Sequence, residues 1–176
     1  RATGISATLA ANVRRVNKVT ANVVGLLEGS DPALRDEVVV IGAHMDHLGM
    51  GGPHSLAEDR TPAIHHGADD NASGTAAVLA LASELSKPEH RPKRSVLFVC
   101  FSGEELGLLG SAHYVRNPIV PIERTVAMLN MDMIGRMKEN RLSVIGTGTG
   151  STWNALLDEL GAGQRFSLSR DEAGGG

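Results

Sequence analysis

An α/β fold with a mixed, largely parallel sheet sandwiched between helices is the architecture this sequence predicts. Short β-branched runs such as Val38-Val39-Val40-Ile41 and Val96-Leu97-Phe98-Val99 alternate with segments whose apolar residues recur at helical spacing. That alternation is the pattern of parallel strands covered by helices on both faces. Metal-ligand and acid–base side chains also gather just after such runs or after glycines. They occur in Gly42-Ala43-His44-Met45-Asp46-His47, Gly67-Ala68-Asp69-Asp70-Asn71-Ala72-Ser73-Gly74, Ser102-Gly103-Glu104-Glu105 and Asn130-Met131-Asp132. An α/β enzyme collects its functional groups at the carboxyl edge of the sheet in this way. With 176 residues, 41% of them hydrophobic, the chain can bury the core of one domain, read here as spanning 1–176.

Residues 5–17 alternate Ala7, Leu9, Ala11 and Val13 with Thr8, Asn12 and Arg14, the pattern of a half-buried strand. Residues 20–27 repeat it, and the two are expected to pair as an antiparallel edge. Gly29-Ser30-Asp31-Pro32 is a turn. Residues 37–42 form a continuous β-branched strand, buried on both faces. Residues 49–67 mix Gly, Pro, His and charge without a period, which marks a functional loop. A helix over 72–87 follows, with Ala77, Val78, Leu81 and Leu85 on one face and Ser86-Lys87-Pro88 as its stop. Next come a buried strand over 94–101 and a helix over 105–116, with Leu106, Leu109 and Tyr114 turned inward. A buried strand over 125–131, a short strand over 141–145 and a helix over 151–160 capped by Ser151 complete the order.

Composition narrows the function. A net charge of −3 and 3% aromatic residues argue against a nucleic-acid binder. No run approaches the roughly 20 apolar residues of a membrane span. The single cysteine, Cys100, lies inside an apolar strand and reads as a small buried hydrophobe. Met128, Met131 and Met133 read as core.

Within the four segments, His44 follows a strand through Gly42-Ala43, and Asp46 is close enough to orient its imidazole. His47 reads as a neighbour rather than a ligand. Asp69 and Asp70 open a helix, where one of Asp70, Asn71 or Ser73 is expected to cap and a spare carboxylate can bridge two metals. Of Glu104 and Glu105, one can bind metal while the other accepts a proton from water. Asp132, at the end of a buried strand, needs a partner or a metal. His plus carboxylates suit zinc, and paired metals suit hydrolysis. His54, His90 and His113 read as solvated, while His65 and His66 border the Asp69 turn and are placed along a pocket.

These segments resemble the di-zinc aminopeptidase family that includes bacterial leucyl aminopeptidases, aminopeptidase Y and the glutamate carboxypeptidase relatives. The resemblance covers roughly residues 20–160. It implies a zinc-peptidase α/β/α fold and removal of the N-terminal residue of a peptide substrate, with two zinc ions in the complete domain. By position it assigns His44 and Asp132 to one zinc, Glu105 to the other and Asp69 to both. Glu104 becomes the general base, Asp46 the residue that orients His44, and the Asp69–Asp70 peptide is expected to be cis. The family completes the Glu105 site with a later histidine, and no histidine follows Asp132 here. The expectation is therefore a domain incomplete at its C-terminus, with a further segment of the same protein as partner and weak activity alone. Secretion or periplasmic export is expected by resemblance. The rival readings are a carboxypeptidase using Arg136 as a carboxylate anchor, a glutaminyl cyclase relative, and a non-catalytic receptor-like domain.

Overall fold

The apolar runs form the centre of a four-stranded sheet, ordered β1-β3-β2-β4. In this computed structural model, residues 4, 8, 10–14, 17–51 and 62–173 are described. Strand β3 (Ser95–Phe101) lies between β1 (Val23–Leu27), antiparallel to it, and β2 (Val38–His44), parallel to it. Strand β4 (Thr125–Asn130) pairs parallel with the other side of β2. The sheet is therefore mixed and largely parallel. Every residue of β3 is buried, as its unbroken apolar sequence requires.

Two buried clusters cover the two faces. On one, Val40, Leu97, Val99 and Phe101 meet Tyr114 of α2 (Leu109–Arg116). On the other, Ile41, Ala43, Phe98 and Cys100 meet Val78 of α1 (Gly74–Leu85), with Leu81 and Leu85 beside them. Alternate residues of each strand serve opposite faces, so one apolar run feeds both cores. Cys100 is buried, and burial pushes its thiol up.

Several elements differ from the sequence expectation. The strand expected over 5–17 lies partly outside the described residues, and those described within it belong to no strand. Strand β1 pairs with β3 instead. Asn22 fixes that pairing, since its amide donates to the Gly110 carbonyl at 2.8 Å and its Oδ1 accepts from the Ser102 N–H at 3.1 Å. The helix expected from 105 begins only at Leu109, because 104–108 turn on bonds from the Gly107 and Leu108 N–H groups to the Glu104 carbonyl. Leu106 and Leu109 consequently face solvent, and Tyr114 alone of the three is buried. Strand β4 is half exposed at Val126, Met128 and Leu129, because β2 is its one partner among the described residues. Met128 and Met133 are likewise exposed, while Met131 packs on the α1 cluster.

Strand β5 (Arg141–Ile145) and helix α3 (Trp153–Gly161) form near the expected positions. Thr152, not Ser151, stands at the cap of α3, and it makes no side-chain capping bond. An unexpected strand, β6 (Ser167–Asp171), pairs parallel with β5 as a separate two-stranded sheet. Its sequence, Ser-Leu-Ser-Arg-Asp, carries too little apolar content to stand out. The middle of the loop over 49–67, including His54, lies outside the described residues. Its ends are tied by bonds from the Ala63 and His65 N–H groups to the Met50 and Gly49 carbonyls.

Candidate metal centre

The carboxyl ends of β2, β3 and β4 and the irregular turn Ala68–Ser73 meet at one place. His44, the last residue of β2, is 4% exposed. Its Nδ1 lies 3.0 Å from the Asp46 carbonyl. A carbonyl can only accept, so Nδ1 carries the proton and donates. In the neutral ring Nε2 then holds its lone pair toward Asp70 Oδ1 at 3.2 Å, Asp132 Oδ1 at 3.3 Å and Glu104 Oε2 at 3.9 Å. A lone pair ringed by carboxylates needs a proton or a metal between them.

Without metal, the same carboxylates favour a proton on the ring. Burial alone would push the His44 imidazole down. The Asp46 carbonyl and the Asp132, Glu104 and Asp70 carboxylates outweigh burial and carry it above its ordinary value. Glu104 is also shifted up. Burial is the main cause, Glu105, Asp132 and Asp46 add to it, and His44 opposes it.

A second group lies alongside. His47 Nδ1 is 2.8 Å from Glu105 Oε1 and 3.7 Å from Asp70 Oδ2. Asp70 thus turns one oxygen to each imidazole. The ligating atoms of His44, Asp70 and Asp132, and those of His47, Asp70 and Glu105, each gather closely enough to hold one ion. Imidazole nitrogen with carboxylate oxygen is a donor set that fits zinc.

Asp69, the expected bridge, faces away. Its Oδ1 accepts from the Gly135 N–H at 2.8 Å and its Oδ2 from Arg136 Nε at 2.9 Å. The Arg136 bond foremost, with Gly135 assisting, holds its carboxyl low. The cis peptide is Asp70–Asn71, one residue later than expected. Arg136, 78% exposed, gives its Nε–H to Asp69. Asp46 does orient His44, but through its backbone carbonyl. Its carboxylate accepts the N–H groups of Glu104 and Glu105, at 3.1 and 3.3 Å, and so fixes the acidic pair.

Backbone details let these segments meet. Gly103 turns at φ 71°, in the left-handed region, which swings Glu104 and Glu105 off the end of β3. Gly74 leaves no room for a side chain, since a Cβ there would stand 2.5 Å from the Met131 carbonyl oxygen. Asn71, which is buried, joins the turn to the end of β4. Its Nδ2 donates to the Met131 carbonyl, and its Oδ1 accepts from the Gly74 and Met133 N–H groups. It is the capping residue of the three expected. Its link to β4 had no sequence signal, because the partners are about 60 residues away.

His65 packs edge-on against His47, with ring centroids 6.1 Å apart. His66 lines a cavity with Met45, His47, Ala72, Thr75 and Leu79. His90 contacts Glu84 at 2.6 Å, well away from the centre, and His113 lies in the last turn of α2.

The family model described as Peptidase family M28 matches residues 22–173. An aminopeptidase from Pseudomonas aeruginosa is 38% identical over 129 residues, covering 72% of this chain and 20% of that protein. Leucine aminopeptidase 1 from Trichophyton equinum is 34% identical over 128 residues, covering 70% of this chain and 31% of that protein. The chain thus spans about a fifth to a third of these curated relatives. A crystal structure of a Zn-dependent exopeptidase from Parabacteroides distasonis superposes with a TM-score of 0.64 at 19% identity, over 85% of this chain and 56% of that one. A glutaminyl cyclase from Bacteroides thetaiotaomicron superposes with a TM-score of 0.63, also at 19% identity, over 85% and 56%. At these identities the two structures speak for the fold.

Proposed function

The chain belongs to peptidase family M28, and from that premise we propose that it forms the metal-binding part of a zinc aminopeptidase that removes the N-terminal residue of peptides. One observation carries the reading. His44, Asp70, Glu104, Glu105 and Asp132, from four separate stretches of chain, converge so that each Asp70 oxygen faces a different imidazole. Two ions would be held there, one by His44 and Asp132 and one by Glu105, with Asp70 within reach of both. The facing of the two carboxylates supports Asp70 rather than Asp69 as the shared residue. The aminopeptidase relatives support the reaction class.

Zinc supplies Lewis acidity, acidifying water and polarising a carbonyl. The protein supplies the proton transfers and the positioning. Glu104, its carboxyl raised by burial, is suited to take a proton from the attacking water and return it to the leaving amine. Asp46 holds Glu104 in place by accepting its N–H. Asp132, half exposed beside His44, is open to the substrate's α-ammonium group. The reading includes a secreted or periplasmic location, supported by the resemblance alone.

Glu104→Gln tests it, made in the protein that carries this chain. The expected result is a fall in turnover of an aminoacyl amide by about 10²–10⁴-fold at unchanged zinc content. Full turnover with normal zinc refutes the role of Glu104. Turnover that survives removal of all metal refutes the metallopeptidase reading.

A further inference from the structure

Both chain neighbours of Asp70 reach across to the segment that carries Asp132. Asn71 holds the residues on either side of Asp132, accepting from the Met133 N–H and donating to the Met131 carbonyl. Asp69 holds the next turn, accepting from the Gly135 N–H at 2.8 Å and from Arg136 Nε at 2.9 Å. We propose that Asp69 and Arg136 form a clasp that positions Asp132 against Asp70, so that both carboxylates meet one ion at His44. The proposal rests on the reading of the chain as a metallopeptidase. It gives Asp69 and Arg136 a positioning role, with no contact to metal or substrate.

The backbone beyond Asp132 is of a kind that has to be held. Met133 turns at φ 51°, a left-handed conformation that residues with side chains rarely adopt. Such a conformation persists only where its surroundings impose it. Asn71 Oδ1 grips the Met133 N–H itself, and the Asp69 carboxylate grips the chain two residues on. Gly135 permits the approach, since a Cβ there would stand 2.8 Å from Asp69 Oδ1 and 3.1 Å from Ser73 Cβ. Asp69 is tied down in turn, because Ser73 Oγ donates to its carbonyl at 2.6 Å.

Electrostatics gives the clasp its purpose. Asp70 and Asp132 bring oxygens to 3.2 and 3.3 Å from His44 Nε2, and the three ligating atoms lie within 4.8 Å of one another. Two carboxylates that close repel each other until a cation lies between them. Residues 132–141 are all exposed, so hydrophobic packing does not oppose that repulsion. The bonds from Asp69 and Asn71 do oppose it, and metal then meets a site already gathered. An exposed ion pair adds little to global stability. The effect of the clasp therefore falls on metal affinity.

Asp69→Asn and Arg136→Gln, made in the protein that carries this chain, test the clasp. Zinc affinity is measured by competition with a chelator, well below the metal-free melting temperature of each variant. The amide introduced by Asp69→Asn can accept from only one of the two donors, and Arg136→Gln removes the guanidinium. Both variants should hold zinc about 10–100-fold more weakly, the usual cost of losing a group that positions a ligand. A charge effect alone would send them in opposite directions. Removing the negative charge of Asp69 would weaken zinc, and removing the positive charge of Arg136 would tighten it. Tighter or unchanged zinc in Arg136→Gln overturns the proposal and leaves the aminopeptidase reading standing. Unchanged zinc in Asp69→Asn does the same, whatever happens to its melting temperature, because a merely structural bond moves melting alone. A wild type that holds no zinc against the chelator overturns both. If Asp69→Asn fails to fold, Arg136→Gln decides, since that side chain is 78% exposed.

Discussion

His44 is the residue on which the centre turns, and its protonation has a direct consequence for stability. Its folded value lies above the ordinary imidazole value in the metal-free site. A raised group stabilises the fold fully below its unfolded value, about 6.5 for histidine, and that contribution is lost as pH rises through the folded value. Glu104, also raised, acts in the same sense from a lower starting point, about 4.3 for glutamate. The chelated protein should therefore melt at a lower temperature at about pH 8 than at about pH 6. Saturating zinc should reverse the order, because protons compete with metal for the imidazole. Melting curves at both pH values, with chelator and with zinc, check this. A chelated chain that is more stable at the higher pH would rule out the carboxylate-dominated environment of His44. Most of the centre could be read residue by residue, since His44, Glu104, Glu105 and Asp132 each follow a recognisable strand or turn. Asp69 and Asp70 could not be separated. Two adjacent acids differ in which way they point, and that is decided by the non-helical backbone of Asp70 and Asn71 and by Arg136, 66 residues beyond Asp70.

At the level of elements, the distinction between β3 and β4 matters most. Both are apolar runs of similar length, and both read as buried strands. Only the sheet order reveals that β3 has neighbours on both sides and helices over both faces, while β4 has β2 alone among the described residues. Leu97, at 0% exposure, meets the core on every side, whereas Leu129, at 46%, is half in water. Leu97→Ala should cost about 2–5 kcal/mol, since it removes transfer energy and leaves a cavity in a packed interior. Leu129→Ala should cost about 1 kcal/mol, reflecting partial burial alone. Urea midpoints at constant slope measure both. Equal losses would show that β4 is covered in solution. Helix positions were read well where one face carried the signal, as at Val78, Leu81 and Leu85. The start of α2 was misread because Glu105 and Leu106 suit a helix locally, while Gly103 and Gly107, both at positive φ, force a turn first.

Across the whole molecule, burial is uneven along the chain, and cooperativity should follow it. Both apolar clusters are built from residues no later in sequence than Met131. Beyond that point Thr147 is the one buried residue among those described. Strands β5 and β6 pair with each other rather than with the main sheet, and Leu157 of α3 lines an open cavity with Leu142 and Leu168 of the two strands. Regions with little buried apolar surface open locally at a free energy well below that of global unfolding. Amide exchange on the native protein should therefore separate two classes. Amides of β2, β3 and α1 should exchange only through global unfolding, and their protection should track stability measured in denaturant. Amides of β5, β6 and α3 should exchange faster and show little sensitivity to denaturant. Zinc binding should raise protection in the first class, because His44 closes β2 and the acidic pair closes β3, and leave the second nearly unchanged. Equal protection of β5–β6 and β3, or an equal response of both to zinc, would mean that the molecule unfolds as a single cooperative unit. The metal centre would then be coupled to the β5–β6 layer through contacts stronger than its burial implies.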